Sequence, residues 1–468
     1  MSATVTQIRE ASRQSVRQTR PHPAAVPELP LTELSGWGHY PVVHGHERLS
    51  EDLEQSTESA ALSRGLGRSY GDSSLPASAQ DVVSTSVLAD RLIAFDPATG
   101  IVRAEAGFPL WRLNRLFLLR GWFTPVTPGT HYVTLGGMVA SDVHGKSHHV
   151  DGCFGEHVTA LKLRVADGQI IECAEAHEPE LFRATLGGMG LTGHILEVEF
   201  RLRRIPSPWI WQESERTADF DATIERLRQA GRRFPMTVCW ADFLTRGPGA
   251  GRGVITSGRW AEPAEAPAAP PRFHSPIALP PVFPSWFLQS WMVQLFNRLY
   301  HAKHGARVRT GIVSPETFFY PLDVVREWNR VYGERGLTQY QAVLPTDDPA
   351  RQRRFLDLLQ SHRAPVFLCV IKDCGPQGKG MLSFPKPGVS YALDLPVSRE
   401  TQALVDALNE FVVAEGGRIY LTKDAFTRAE HFRAMEPRLD TFHAVRRKWD
   451  PEGRLRSAQS VRLLGGRP

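Results

Sequence analysis

Apolar and polar positions change their period several times along the chain. Leu92, Ile93, Ala94 and Phe95, then Asp-Pro-Ala-Thr-Gly, then Ile101 and Val102 predict a β-hairpin. Leu161, Leu163 and Val165 alternate with polar residues up to an Asp167-Gly168 turn. Leu196, Val198, Phe200 and Leu202 alternate with Glu197, Glu199, Arg201 and Arg203, which predicts a half-buried strand with a charged outer face. From about 38 to 205 the chain thus reads as strand-rich with glycine turns. Farther on, Phe220, Ile224 and Leu227 share one face of a helix over 219–234. Residues 262–287 are crowded with Pro and Ala, which breaks regular structure. The run PSWFLQSWMVQLFNRLYHAKHG at 284–305 fits two readings. It is a packed core helix, the commoner fate of such a stripe, or an interfacial amphipathic segment. Gln339 and Gln341 alternate on one strand face. Leu404, Leu408 and Phe411 mark another helix, closed by Gly416-Gly417, and 418–421 reads as the next strand.

A length of 468 residues suits two or three domains, and 42% hydrophobic with 22% charged residues is ordinary for a globular protein. A formal charge of +5, read as dispersed, is too mild for nucleic acid and fits an anionic ligand or an acidic membrane surface. Cys153, Cys173, Cys239, Cys369 and Cys374 are scattered without a CxxC pair, which predicts unpaired thiols in a reducing compartment. Arg9, Arg13, Arg17 and Arg20 occur without an apolar segment beside them, so the N-terminus reads as a weakly basic flexible tail and not a secretory signal. No run of 18 apolar residues predicts a membrane span.

Two glycine-rich segments carry the candidate chemistry. SRGLGRSYGD at 63–72 places three glycines within seven residues beside Arg64 and Arg68, a loop able to cradle a pyrophosphate, although neither the dinucleotide fingerprint nor a P-loop is complete. TPGTHYVTLGGMVASDVHGKSHH at 127–149 predicts a tight turn at Thr134-Leu135-Gly136-Gly137 entering a short helix. Its Asp142, His144, His148 and His149 do not read as a metal site. Adjacent histidines cannot easily both point inward, and the Gly145-Lys146 pair suits anion contact better.

Five motifs then occur in order: G-x-G-R-S-Y-G-D at 65–72, P-G-T-x-x-V-T-x-G-G at 128–137, D-x-H-G-K-x-H-H at 142–149, G-x-F-G-x-H-V at 152–158 and G-G-x-G-L-T-G at 187–193. Together they resemble the PCMH-type FAD-binding domain of the vanillyl-alcohol-oxidase class of flavoproteins. Within that class the chain is most similar to the polyprenylphosphoryl-ribose 2-oxidases, through LPPVFP (279–284), FYPLDVVREWNRVYG (319–333), QYQAVLPT (339–346), LSFPKPG (382–388), RIYLTKDAFT (418–427) and AVRRKWDP (444–451). The resemblance implies a two-domain α+β fold. It has a flexible tail at 1–35, an FAD domain at 36–205, and a substrate domain at 206–417 built on an antiparallel sheet flanked by helices. The chain returns to the FAD domain at 418–468.

The resemblance also implies roles. FAD contacts fall to Arg64, Gly65, Leu66, Gly67, Arg68, Ser69, Tyr70, Gly71, Gly129, Thr134, Leu135, Gly136, Gly137, Ser141, His144, Gly145, His149, Gly152, Gly155, Gly190, Gly193, Ile195 and Tyr420. His148 and His149 read first as structural hydrogen-bonding groups. Arg68 stands where related loops carry a tethering histidine, so FAD is expected to be non-covalent. Lys423, Tyr70 and His144 are the expected catalytic group. Lys146, Phe319, Gln339, Gln341, Lys372, Ser390 and Ala392 would meet the substrate, with Trp240 as a further wall. In SYALDLP, Ala392 stands where relatives carry a cysteine and Ser390 where they carry an asparagine; Phe319 replaces a tyrosine. The thiol is therefore not obligatory, and thiol reagents should act weakly.

The expected reaction is FAD-dependent oxidation of the C2 hydroxyl of a polyprenylphosphoryl-β-D-ribofuranose. The expected partners are a separate NADH-dependent reductase and a quinone or dioxygen as electron acceptor. Peripheral contact with the inner membrane is expected, preferably at its cytoplasmic face; no nucleic acid and no metal are expected. The alternatives are an aldonolactone- or alditol-type oxidoreductase on a soluble polyol, and a non-catalytic flavin-binding subunit.

Overall fold

The computed structural model describes residues 29–273, 275–279, 289–305 and 307–465. Residues 1–28 of the expected tail, with its four arginines, lie outside the described residues, as do 284–288 of the aromatic run. From Leu31 onward the described residues form one compact unit.

Leu31–Ser35, counted above with the tail, is strand β1. With β2 (Val42–Leu49), β3 (Leu62–Arg64) and β4 (Val82–Thr85) it makes a sheet in the order β1-β2-β4-β3. The predicted hairpin is β5 (Leu92–Asp96) and β6 (Ile101–Glu105). Its turn closes because the Asp96 carboxylate accepts from Ala98 N–H and the Thr99 hydroxyl, while Gly100 takes a φ of 75°. After α1 (Leu110–Phe117), the short β7 (Trp122–Phe123) and α2 (Leu135–Ala140) come β8 (Val158–Arg164), β9 (Ile170–Cys173) and β10 (His194–Arg201). The resulting sheet runs β5-β6-β10-β8-β9. Its charged face is laced by Glu197, which meets Arg103 at 2.6 Å and Lys162 at 3.2 Å. Its other face buries Leu161, Leu163, Val198 and Phe200 against Leu135, Met138 and Phe154.

β11 (Arg203–Arg204) pairs with β7, and the chain enters an eight-stranded antiparallel sheet. Its strands are β12 (Ile210–Arg216), β13 (Met236–Ala241), β14 (Gly253–Trp260), β16 (Arg309–Val313), β18 (Leu337–Leu344), β19 (Leu368–Cys374), β20 (Gly388–Pro396) and β21 (Arg418–Ile419). Their order is β16-β12-β14-β13-β19-β20-β18-β21. A parallel pair, β15 (Ile277–Ala278) with β17 (Val325–Arg326), stands apart.

Alternation gives this sheet two chemistries. Tyr340, Ala342, Tyr391, Leu393, Cys369 and Ile371 point to one face and pack against α3 (Phe220–Arg233), α5 (Pro349–Ser361) and α6 (Thr401–Ala414). Tyr391 OH donates to Gln352 at 2.8 Å and Tyr340 OH to Asn409 at 3.0 Å, so both phenols are satisfied in that core. The other face carries three registered rows: Gln339–Asp394–Leu368, Gln341–Ala392–Val370–Trp240 and Val343–Ser390–Lys372. This second face looks into the cavity described below.

Two expectations need correction. The aromatic run does form a helix, α4 (Ser290–Lys303), but not a core one: Val293 and Asn297 are its buried residues, and its largest apolar side chains are exposed. The strand expected at 418–421 stops at Ile419, because the chain turns into a 3-10 turn at Leu421–Lys423.

Candidate active site

A cavity of about 750 Å³ lies between the two glycine loops and the polar face of the eight-stranded sheet. That size falls in the range of cofactor and small-ligand sites. Its floor is backbone. Gly65 cannot carry a Cβ, which would collide with the Thr134 hydroxyl, and a Cβ on Gly136 would sit 2.8 Å from that of Ala106. Glycine therefore lets the first loop, α2 and β6 close on one another. Thr134 caps α2 by accepting from Gly137 N–H at 3.3 Å. Gly129 and Gly190 do the opposite: a Cβ there would meet nothing within 4 Å, so both leave open room in the cavity wall.

Leu66, Gly67, Ser69, Gly137, Ser141, Gly193, Ile195 and Tyr420 also line the cavity, and Tyr420 OH donates to Ser141 O at 2.9 Å. Arg64 lines it too, but its guanidinium is spent on Ser35 O at 2.7 Å and on Ser74. It braces the loop and does not offer a free charge. Arg68 lies 4.0 Å from the Trp37 ring centroid, with a buried, unpartnered Nε. The loop is held from both chain ends: Trp37 N–H donates to Ser69 O at 2.7 Å, and Tyr70 N–H to Thr422 O at 2.9 Å.

The reactive side chains gather where this floor meets the sheet. Lys423 Nζ sits 3.9 Å from the centroid of the Tyr70 ring. Burial pushes its pKa down to about 7; Asp394 opposes the shift and Lys372 adds to it. Burial likewise raises Asp394 to about 6, although Gln339 donates to it. Burial and the Asp394 charge raise Tyr70 well above the usual phenol range. Lys372 is lowered by burial to about 8. His144 is held neutral by burial, with Lys372 adding to the effect. Its Nε2 lies 3.1 Å from the Gln341 amide, which also donates to Ser390 Oγ at 3.1 Å. The geometry assigns Nε2 as acceptor and puts the proton on Nδ1, which is buried without a partner. Orphaned donors at His144 and Arg68 in the wall of a glycine-floored cavity are what a bound polar cofactor satisfies, so these residues fit FAD.

Several expected residues lie outside this wall. Gly71 packs under Asp424, where a Cβ would strike the carbonyl, and Gly145 likewise abuts Thr127 O. Leu135 is core. Gly152 turns the chain at φ 69°, and Gly155 N–H donates to Asp142. His149 Nε2 pairs with Phe234 O at 2.9 Å, and His148 Nδ1 accepts from Gly375 N–H at 3.1 Å. Of Asp142, His144, His148 and His149, His144 alone lines the cavity, and the other three are engaged with separate partners. Lys146 Nζ donates to Phe319 O at 2.9 Å, and burial lowers it to about 7. Phe319 packs with Phe123 and Trp260 behind the wall, Ser390 stands behind Gln341, and Trp240 meets Tyr300 edge-on.

Asp394, Asp323, His131 and Trp328 were not anticipated. Asp394 could have been found, because it continues the alternation Ser390, Ala392, Asp394. Asp323, held up at about 6 by burial, accepts from His131 N–H at 2.8 Å across 192 positions of sequence. No local pattern announces such a contact. Among the described residues, no group of three or more His, Cys, Asp or Glu could hold a metal ion.

Residues 55–174 match the FAD binding domain family. Decaprenylphosphoryl-beta-D-ribose oxidase of Mycolicibacterium smegmatis is 34% identical over 410 residues, 86% of this chain and 88% of that protein. The putative D-arabinono-1,4-lactone oxidase of Neurospora crassa is 33% identical over 112 residues, 24% of this chain and 20% of that protein. Delta(24)-sterol reductase of Homo sapiens is 29% identical over 111 residues, 24% of this chain and 22% of that protein. The chain is an FAD-dependent oxidoreductase, and it belongs to the family of flavoproteins represented by the decaprenylphosphoryl-beta-D-ribose oxidase of Mycolicibacterium smegmatis.

Proposed function

We propose that this enzyme oxidises the C2 hydroxyl of a polyprenylphosphoryl-β-D-ribofuranose to the 2-keto sugar. This is the first half of an epimerisation that a separate NADH-dependent reductase completes, with a quinone or dioxygen as final electron acceptor. The observation that carries the reading is the cluster of Lys423, Tyr70 and Gln339 beside Gln341 and Lys372 on one wall of the cavity, with the buried Asp394 accepting from Gln339. It combines an amine of near-neutral pKa, two amides suited to sugar hydroxyls and a buried cation suited to a phosphate.

Bound FAD supplies the acceptor for the hydride that leaves the carbinol carbon. Lys423, part neutral near pH 7, takes the hydroxyl proton, and Asp394 tunes that amine. Gln339 and Gln341 orient the ring, and Lys372 meets phosphate oxygens. His144 remains a neutral donor at Nδ1. Arg68 supplies no tether, so acid precipitation should release all the flavin into solution. The breadth of the match also supports a lipid-linked ribose over a soluble aldonolactone: it spans 88% of the ribose oxidase and 20% of the lactone oxidase.

The deciding experiment adds a short-prenyl phosphoryl-ribose to the purified protein without oxygen and follows the flavin band. Bleaching by this substrate supports the reading. Bleaching by an aldonolactone or alditol alone would move the assignment to a soluble sugar.

A further inference from the structure

We propose that α4, together with the basic residues that follow it, docks this protein onto the surface of an anionic lipid bilayer. The inference stands whichever sugar is oxidised in the cavity.

The first observation is that the helix is built inside out. A surface helix normally turns its apolar stripe to the core. Here the inner side is the polar one: Asn297 donates to Asp242 at 3.0 Å, His301 pairs with Thr217 O at 2.9 Å, and Tyr300 packs edge-on against Trp240. The outer side carries Trp291 (61% exposed), Leu295 (47%), Phe296 (60%) and Leu299 (63%). On a 3.6-residue period these four fall on one arc, with the exposed Arg298 and Lys303 within it or at its edge. An aromatic and leucine face with cations beside it is the composition of a helix lying in a membrane interface.

The second observation is charge. No Asp or Glu occurs between Glu265 and Glu316, while Arg272, Lys303 and three further arginines, Arg298, Arg307 and Arg309, do. This stretch alone carries +5, which equals the formal charge of the whole chain. The surplus falls in this stretch, and Arg298 and Lys303 set part of it beside the apolar face. A polybasic, acid-free segment is complementary to anionic headgroups. A second copy of the same chain is the poorer occupant, because self-pairing would set two such basic surfaces against each other.

Placement agrees with this occupant. Trp240, under the helix, is the register partner of Val370, which lines the cavity, so α4 continues the sheet face that forms the cavity wall.

The test is co-sedimentation of the FAD-loaded full chain with vesicles of phosphatidylcholine, with and without phosphatidylglycerol, and no sugar lipid present. The expected result is capture by the anionic vesicles, weaker by about tenfold or more on pure phosphatidylcholine or at high salt. The pair Leu295→Asp with Leu299→Asp should abolish capture. Arg298→Glu with Lys303→Glu should lower it at least about tenfold. Both variants should keep the wild-type melting temperature and the wild-type flavin reduction by a soluble short-prenyl substrate. The proposal is overturned if wild-type protein stays in the supernatant with both vesicles, or if the variants sediment unchanged. It is also overturned if the leucine variant only dissociates a dimer in light scattering, which would make this face an interface between copies. Because the vesicles hold no substrate, failure of docking and failure of the sugar assignment read out separately.

Discussion

In the proposed reaction Lys423 is the group that takes the hydroxyl proton. Lys423→Met should slow flavin reduction by about a hundredfold or more in stopped-flow, the usual weight of a positioned acid–base group. In that role the neutral amine is the active form. The wild-type rate should therefore rise with pH through about 7, where burial has brought this pKa, and the rise should vanish in Lys423→Met. The Asp394 carboxylate opposes the lowering of the lysine, so Asp394→Asn should move that inflection to lower pH. Sequence reading found Lys423, Tyr70, His144, Gln339, Gln341, Lys372 and Ala392, and all of them line one cavity. It missed Asp394, although the alternation Ser390, Ala392, Asp394 puts that carboxylate on the same strand face as Ala392. The thiols provide a separate check. All five cysteines are buried and none lines the cavity; burial raises Cys173 and Cys374 to about 12 and the other three well above the usual thiol range. Thiol reagents should leave flavin reduction intact in the wild type, whereas Ala392→Cys should be labelled in the cavity and inactivated.

At the scale of elements, the short helix α2 depends on one hydroxyl. Thr134→Val removes the cap on Gly137 N–H, and a loss of about 1 kcal/mol in a denaturant titration is expected. Thr134 also packs against Gly65, so FAD affinity should fall with it. Elements with local signals are readable beforehand: the DPATG hairpin is present, the helix read over 219–234 runs Phe220–Arg233, and the alternations at 161–165 and 339–341 fall on strands Val158–Arg164 and Leu337–Leu344. The orientation of α4 was not readable. An apolar stripe shows that a helix has two faces and leaves open which one meets the protein. Its inward contacts are long-range, Asn297 to Asp242 and His301 to Thr217, and have no local signature. Lys146, Phe319, Ser390 and Trp240, which the resemblance puts at the substrate, stand one layer behind the cavity wall.

For the whole molecule, buried histidines make acid the weak side of the stability curve. Burial lowers His131, His148 and His194 from 6.5 to about 4. Below pH 6.5 the unfolded chain binds protons at these positions that the native state refuses. The stability they contribute is complete above pH 6.5 and is lost as pH falls towards 4, at up to about 4 kcal/mol per pH unit for three such groups. Thermal melts at pH 7.5, 6 and 5 should show the melting temperature dropping over that interval, and replacing His194 with Gln should flatten the drop.

The cofactor loop is fastened to a segment far downstream of it in the sequence. Arg462 spans Asp72 at 2.7 Å and Asp424 at 2.8 Å, and Thr422 holds Tyr70 through the backbone. These contacts close the cavity between residues made early and residues made much later. A ribosome displays the glycine loop long before it delivers Lys423 and Arg462, so flavin capture waits until the chain has been extended past them. Nascent chains arrested before residue 418 would emerge colourless, and pigment would mark only chains that carry both residues.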